Sequence, residues 1–236
     1  MMGKCTEKGL IFIMAGLVLS ILSNLLIFLT GGEISYVLGI GSISGILVLI
    51  GIILMVVGRK EYGDRHGRFV IYALAVFLVS IAFYVIYTVY TGIMVYIAVY
   101  EGNVDLSGIR NIIYLIPFAA ILGGLVNVFL LHELENRNGR IILYAAFLVT
   151  IFTSIMVAVM ATPFMDALIV KMKSTIDDQP LSLFANELTT ELEKGLSQLN
   201  IYGVVNNLMF LVAAIIPYRR IKSGELAAAP SSPEQQ

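Results

Sequence analysis

Polar residues in this chain come in short clusters, and apolar residues come in long runs between them. Leu10–Leu29, Ile34–Val57, Phe69–Val99, Asn111–Leu131, Ile141–Pro163 and Ile201–Tyr218 contain neither acid nor base. About 20 residues of helix cross the hydrocarbon core of a bilayer. Backbone amides find no water there, so each run predicts a helix. The expected fold is all-α: a six-transmembrane-helix bundle with spans at 9–29, 34–57, 69–99, 111–131, 141–161 and 201–218. Residues 1–8 are expected as a cytoplasmic N-terminus, 162–200 as an extracytoplasmic helical segment and 219–236 as a disordered tail. The first run is too long for a signal-peptide core and no small-residue cleavage site follows it, so it is expected to stay in place. Span three, at 1.5 Å per residue, reaches about 46 Å and must tilt or project.

Composition agrees with lipid as the solvent. The chain is 58% hydrophobic and 13% charged, where soluble domains carry about a quarter charged residues. A net charge of −1 gives no concentrated basic surface for nucleic acid. Cys5 is the single cysteine, which excludes an internal disulfide and a zinc site built on several thiolates. Trp is absent, so interfacial anchoring falls to the 12 tyrosines.

Charge sets the expected orientation. Eleven basic residues (Lys4, Lys8, Arg59, Lys60, Arg65, Arg68, Arg137, Arg140, Arg219, Arg220 and Lys222) fall on one side of the six-span arrangement. Four (Arg110, Lys171, Lys173 and Lys194) fall on the other. The basic side faces the cytoplasm, which places both termini inside a cell membrane.

A shift of 72 residues aligns 61–73 with 133–145 at six of 13 positions. Glu61 meets Glu133, Arg65 meets Arg137, Gly67 meets Gly139, Arg68 meets Arg140, Tyr72 meets Tyr144 and Ala73 meets Ala145. Upstream, Gly51 falls on Gly123. The repeating unit is span, tight inner turn, span, so a tandem parallel hairpin repeat is expected over 39–99 and 111–161. At each turn, Arg65, Gly67, Arg68 and Tyr72, or Arg137, Gly139, Arg140 and Tyr144, combine helix N-terminal amides with arginine and a phenol. That combination suits an anionic headgroup or phosphate. Two simpler readings stand beside it: arginines that only hold the turn inside, or Glu61 and Glu133 pairing with arginine to lock each turn.

The small-residue-rich span, the charged turn and the helix start "GRFVIYALAVF" resemble archaeal multi-pass membrane families of uncharacterised function over spans two to five. The resemblance implies an archaeal integral-membrane protein and transfers no chemistry to any residue.

Within the spans, polar residues are few. Gly16, Ser20 and Asn24 recur every fourth residue; Gly41 with Gly45 and Ala119 with Gly123 repeat that spacing. Together with Asn127, Asn206 and Asn207 they are expected to mediate helix–helix packing. No acid or base lies within a span, which disfavours a proton-coupled carrier. Outside the membrane, Leu181, Phe184, Leu188, Leu192 and Leu196 recur at three- and four-residue spacing. They mark an amphipathic helix whose stripe is either covered within the chain or offered to a partner.

Signatures of catalysis are missing. "HELEN" at His132 lacks the second histidine of a zinc helix, and no span carries the paired carboxylates of an intramembrane aspartyl protease. The chain is expected not to be an enzyme and to need no cofactor or metal. The expected function is a non-catalytic scaffold or accessory subunit of a membrane complex, with membrane lipids and a membrane-protein partner or second copy as its contacts. A small-solute channel or facilitator, and an anionic-lipid-binding protein, are the alternatives.

Overall fold

The computed structural model describes residues 5–31, 37–100, 115–175 and 197–226. These residues form six helices and no strand: α1 (Cys5–Thr30), α2 (Val37–Val57), α3 (Asp64–Tyr100), α4 (Leu115–Leu131), α5 (Arg137–Thr175) and α6 (Asn200–Lys222). Five stretches are long and apolar enough to cross a membrane: Cys5–Thr30, Ile40–Val57, Asp64–Ile86, Arg137–Pro163 and Asn200–Lys222. The apolar part of α4, Pro117–Leu131, is shorter. The protein is thus an all-helical chain compatible with a multi-pass membrane protein. The stripe of Leu181, Phe184, Leu188, Leu192 and Leu196 lies outside the described residues, as does the tail from residue 227.

The helices extend past the expected spans at several ends. The first described amides of α1 are capped from elsewhere: Cys5 N donates to Glu61 Oε1 (3.1 Å) and Thr6 N to Glu61 Oε2 (3.0 Å). α3 begins at Asp64, an acid in the first turn, just after Gly63 turns the chain with φ 92°. α5 passes through Pro163 to Thr175. A proline inside a helix removes one ladder bond and bends the axis, and here it does not end the helix.

Neighbours in space follow neighbours in sequence with one exception, the α2–α3 pair. Extensive contacts join α2 to α1, α1 to α6, α6 to α5, α5 to α4 and α4 to α3. α2 and α3 touch much less. Their link is so short that the expected hairpin would pack along its length, yet α2 lies against α1 instead. The reason is visible in the glycines. A Cβ on Gly9 would stand 2.8 Å from the Gly51 carbonyl oxygen, and one on Gly51 would stand 2.8 Å from the Gly9 oxygen. Further along, Ser44 Oγ donates to the Gly16 oxygen at 2.8 Å, and a Cβ on Gly16 would meet Val48 and the Ser44 carbonyl. Missing side chains let the two backbones touch, which replaces the hydrophobic drive that lipid cannot supply. Gly123, aligned with Gly51 in the sequence repeat, has open space around it. The two hairpins therefore differ in packing, and Gly124 rather than Gly123 meets the next helix, at Phe147 and Thr150.

α6 joins the two halves through amides. Asn207 Nδ2 donates to Ser20 Oγ on α1 (2.8 Å), and Thr153 Oγ1 on α5 donates to Asn206 Oδ1 (2.9 Å). Asn24 packs on Gly203, where a Cβ would lie 2.9 Å from its Oδ1. Leu10, Ile13, Met55, Val70, Leu130, Leu143, Phe210 and Ala213 belong to the buried cluster that gathers nearer one end of the bundle.

Candidate functional site

That end carries both charged turns, the start of α1 and the close of α6. The first turn, residues 58–63, follows α2. Gly58 N bonds the Leu54 oxygen and Glu61 N the Gly58 oxygen, so the chain reverses within six residues. Thr6 Oγ1 donates to the Gly58 oxygen at 3.3 Å. Glu61 spends both carboxylate oxygens on the α1 amides, a charge-assisted cap at the positive end of a helix dipole.

With Glu61 so engaged, the cations of this corner are left over. Arg59, Lys60, Arg68, Asp64, Gly67, Ile71 and Tyr72 line an open groove of about 380 Å³. Arg59, Lys60, Asp64, Arg65 and Arg68 are all exposed. Their side chains make no hydrogen bond or ion pair among the described residues. Tyr72 is 52% exposed and Ile71 38%, so one wall of the groove is apolar.

The second corner, residues 132–136, closes on itself. Asn136 Oδ1 accepts from Gly139 N (2.7 Å), which caps α5. Arg140 Nε donates to the His132 carbonyl at 3.1 Å. Tyr144 Oη lies 2.8 Å from His132 Nδ1, and His132 Nε2 lies 3.6 Å from Glu133. Arg220 on α6 donates to the Leu134 oxygen (2.6 Å) and to Glu225 (2.8 Å). Glu135 is buried against Gly139, where any Cβ would collide with its carboxylate. Burial pushes the His132 imidazole below its usual range, with Arg140 and Arg65 adding to this and Glu133 opposing. Burial likewise pushes Glu135 up to about 7, against the pull of Arg220 and Arg140.

The corners meet through rings. Phe69 stacks on His132 at 5.1 Å and contacts Phe129 edge-on at 5.8 Å; Tyr72 also contacts Phe129, at 6.1 Å. Of the eight residues expected to hold an anion, Gly67, Arg68 and Tyr72 line the open groove. Arg65 lies beside it on the His132 side, where its charge is felt. Gly139, Arg140 and Tyr144 are taken up internally, and Arg137 is exposed at the start of α5. Neither Glu61 nor Glu133 pairs with arginine among the described residues. Arg59 and Lys60 join the groove although the repeat did not single them out. Their signal in the sequence is the basic doublet directly after span two.

The packing residues divide by partner. Gly16 faces α2, whereas Ser20 and Asn24 face α6. Gly41 meets only Ser23 Oγ at 3.6 Å, and Gly45 meets nothing within 4 Å. Ala119 is half-buried. Asn127 Nδ2 turns back to the Gly123 oxygen of its own helix at 3.5 Å.

Glu135 supplies a pH prediction. Its folded pKa stands above the unfolded value, so the folded protein holds the extra proton between about 4.5 and about 7. The stability tied to this proton is full at the acid end of that window and is lost as pH rises through about 7. Thermal unfolding in detergent from pH 5 to 7.5 should show that decline as the difference between wild type and Glu135→Gln. A pH-independent difference would refute the assignment.

No protein-family model, curated protein or solved structure matches this chain.

Proposed function

We propose that this chain is a non-catalytic six-span membrane protein, with both termini cytoplasmic, that works as a scaffold or accessory subunit and holds an anionic phosphate headgroup at the α2–α3 corner. One observation carries the reading: Arg59, Lys60 and Arg68 line one groove, exposed and without a side-chain partner among the described residues. Cations near a membrane surface attract anionic lipid at about 1 kcal/mol each. The distribution of basic residues, eleven to four, supports the cytoplasmic orientation of that corner. In this reading the hairpin repeat records a duplication. After it, the first copy kept its corner open and the second filled its own. The segment 162–200 is then the extracytoplasmic surface offered to a protein partner. The scaffold reading is preferred to a solute facilitator because Asn206 and Asn207 are engaged with Thr153 and Ser20, as interhelical ties rather than as lining of a path.

Gentle extraction followed by native mass spectrometry tests this. The triple substitution Arg59→Gln, Lys60→Gln and Arg68→Gln is expected to reduce retained anionic lipid by about tenfold or more. Arg140→Gln, at the self-occupied corner, should change it little. Unchanged lipid in the triple variant would remove the headgroup site.

A further inference from the structure

The lining of the groove is more specific than a positive patch. Beside its three cations stands one acid, Asp64, the first residue of α3. It is exposed, and among the described residues its side chain caps no helix and joins no ion pair. We infer that the groove selects a phospholipid whose anionic headgroup also carries uncharged hydroxyl donors: a polyol headgroup, of the glycerol or inositol kind. This inference rests on the headgroup reading above and refines it.

Each part of the lining excludes a class of ligand. Arg59, Lys60 and Arg68 call for a phosphate, and guanidinium forks match its oxygens in geometry. Asp64 is an acceptor only, so a ligand group that displaces its water must bring a donor. A serine headgroup brings an ammonium donor but also a second carboxylate, which stands as a like charge beside Asp64. A bare phosphomonoester offers it no donor once ionised. An ammonium headgroup offers donors but is neutral overall, and it enters a site whose field is set by three cations against one acid. A hydroxyl satisfies Asp64 without adding charge. The remaining wall, Ile71 and Tyr72, is apolar and exposed on the helix that enters the membrane, so it suits an acyl chain. A soluble glycerol phosphate has nothing to place there.

The whole protein in nanodiscs should be compared by native mass spectrometry with phosphatidylglycerol, phosphatidate, phosphatidylserine and phosphatidylethanolamine. Wild type is expected to retain phosphatidylglycerol about fivefold over each of the others, the equivalent of one exposed polar contact. Asp64→Asn should erase that preference while total anionic lipid stays the same or rises. Asp64→Glu, which keeps the carboxylate, should retain part of it. Equal retention of all three anionic lipids by wild type, or a preference that survives Asp64→Asn, would overturn the polyol assignment and leave the broader headgroup site standing. Loss of lipid affinity in the triple Gln variant tests that broader site separately. Competition by free glycerol phosphate at the affinity of the lipid would overturn the acyl-chain wall.

Discussion

Gly51→Leu is expected to separate α1 from α2 and leave little folded protein. Even Gly51→Ala should cost about 1–3 kcal/mol, the usual cost of overpacking a close contact. The added carbon would lie 2.8 Å from the Gly9 oxygen and 3.0 Å from Ile13 N. Both are backbone atoms of a helix and cannot swing aside as a side-chain end would. Relief requires the helix axes to move apart, which forfeits van der Waals contact along the whole seam from Gly9 to Gly16. In lipid that contact is the main attraction between helices. Gly45→Ala on the same helix is the matched control, since that position meets nothing within 4 Å. Its thermal midpoint in detergent should equal that of wild type. If Gly51→Ala and Gly45→Ala melted together, the α1–α2 seam described above would be wrong.

Glu61→Ala should be the most damaging change on the polar surface, costing about 2 kcal/mol. One carboxylate holds two helix-terminal amides, at 3.1 and 3.0 Å. N-caps contribute about 0.5–2 kcal/mol and hydrogen bonds to charged groups somewhat more. Glu61→Gln keeps one acceptor and should lose roughly half as much. Its counterpart in the repeat, Glu133, only approaches His132 at 3.6 Å, so Glu133→Ala should fall within about 0.5 kcal/mol of wild type. Hydrogen exchange gives an independent readout. Faster exchange confined to Cys5–Lys8 and its neighbours is expected for Glu61→Ala, and equal behaviour of the two glutamates would contradict the cap.

The contrast shows what could be read from the letters and what could not. The described part of each apolar run is helical, as expected of backbone amides that lipid would leave no other solution. Helix ends were less legible: the amides of Cys5 and Thr6 are capped by Glu61, 56 and 55 residues away along the chain, whereas α3 starts at Asp64 directly after the Gly63 turn. Helix neighbours were legible only in part: α4 packs along α5, but α2 lies on α1 rather than along α3. In a soluble bundle the buried stripe is the apolar one, but here the lipid face is equally apolar: Ile46 and Ile53 are 56% and 51% exposed. The period that would reveal a packing face is absent. Small residues were the remaining guide, and they misdirect when taken alone. Of the Gly41–Gly45 pair only Gly41 touches α1, loosely at Ser23, and Gly45 faces open space, while α2 presents Ser44, Val48, Gly51 and Met55 to α1. At the site, the arginine turns were plain from the repeat. That one corner is open and the other closed turns on Glu135, Asn136 and His132, where the aligned residues are Gly63, Asp64 and Lys60.

The amides of α6 also constrain how the molecule is made. Asn207 reaches back 187 residues to Ser20, while its neighbour Asn206 takes the hydroxyl of Thr153. Until translation delivers this helix, α1 with α2 and α3 with α4 and α5 are two rafts moored chiefly at the 58–63 bend. The sixth helix is the keystone, and the arch stands only once it has been set.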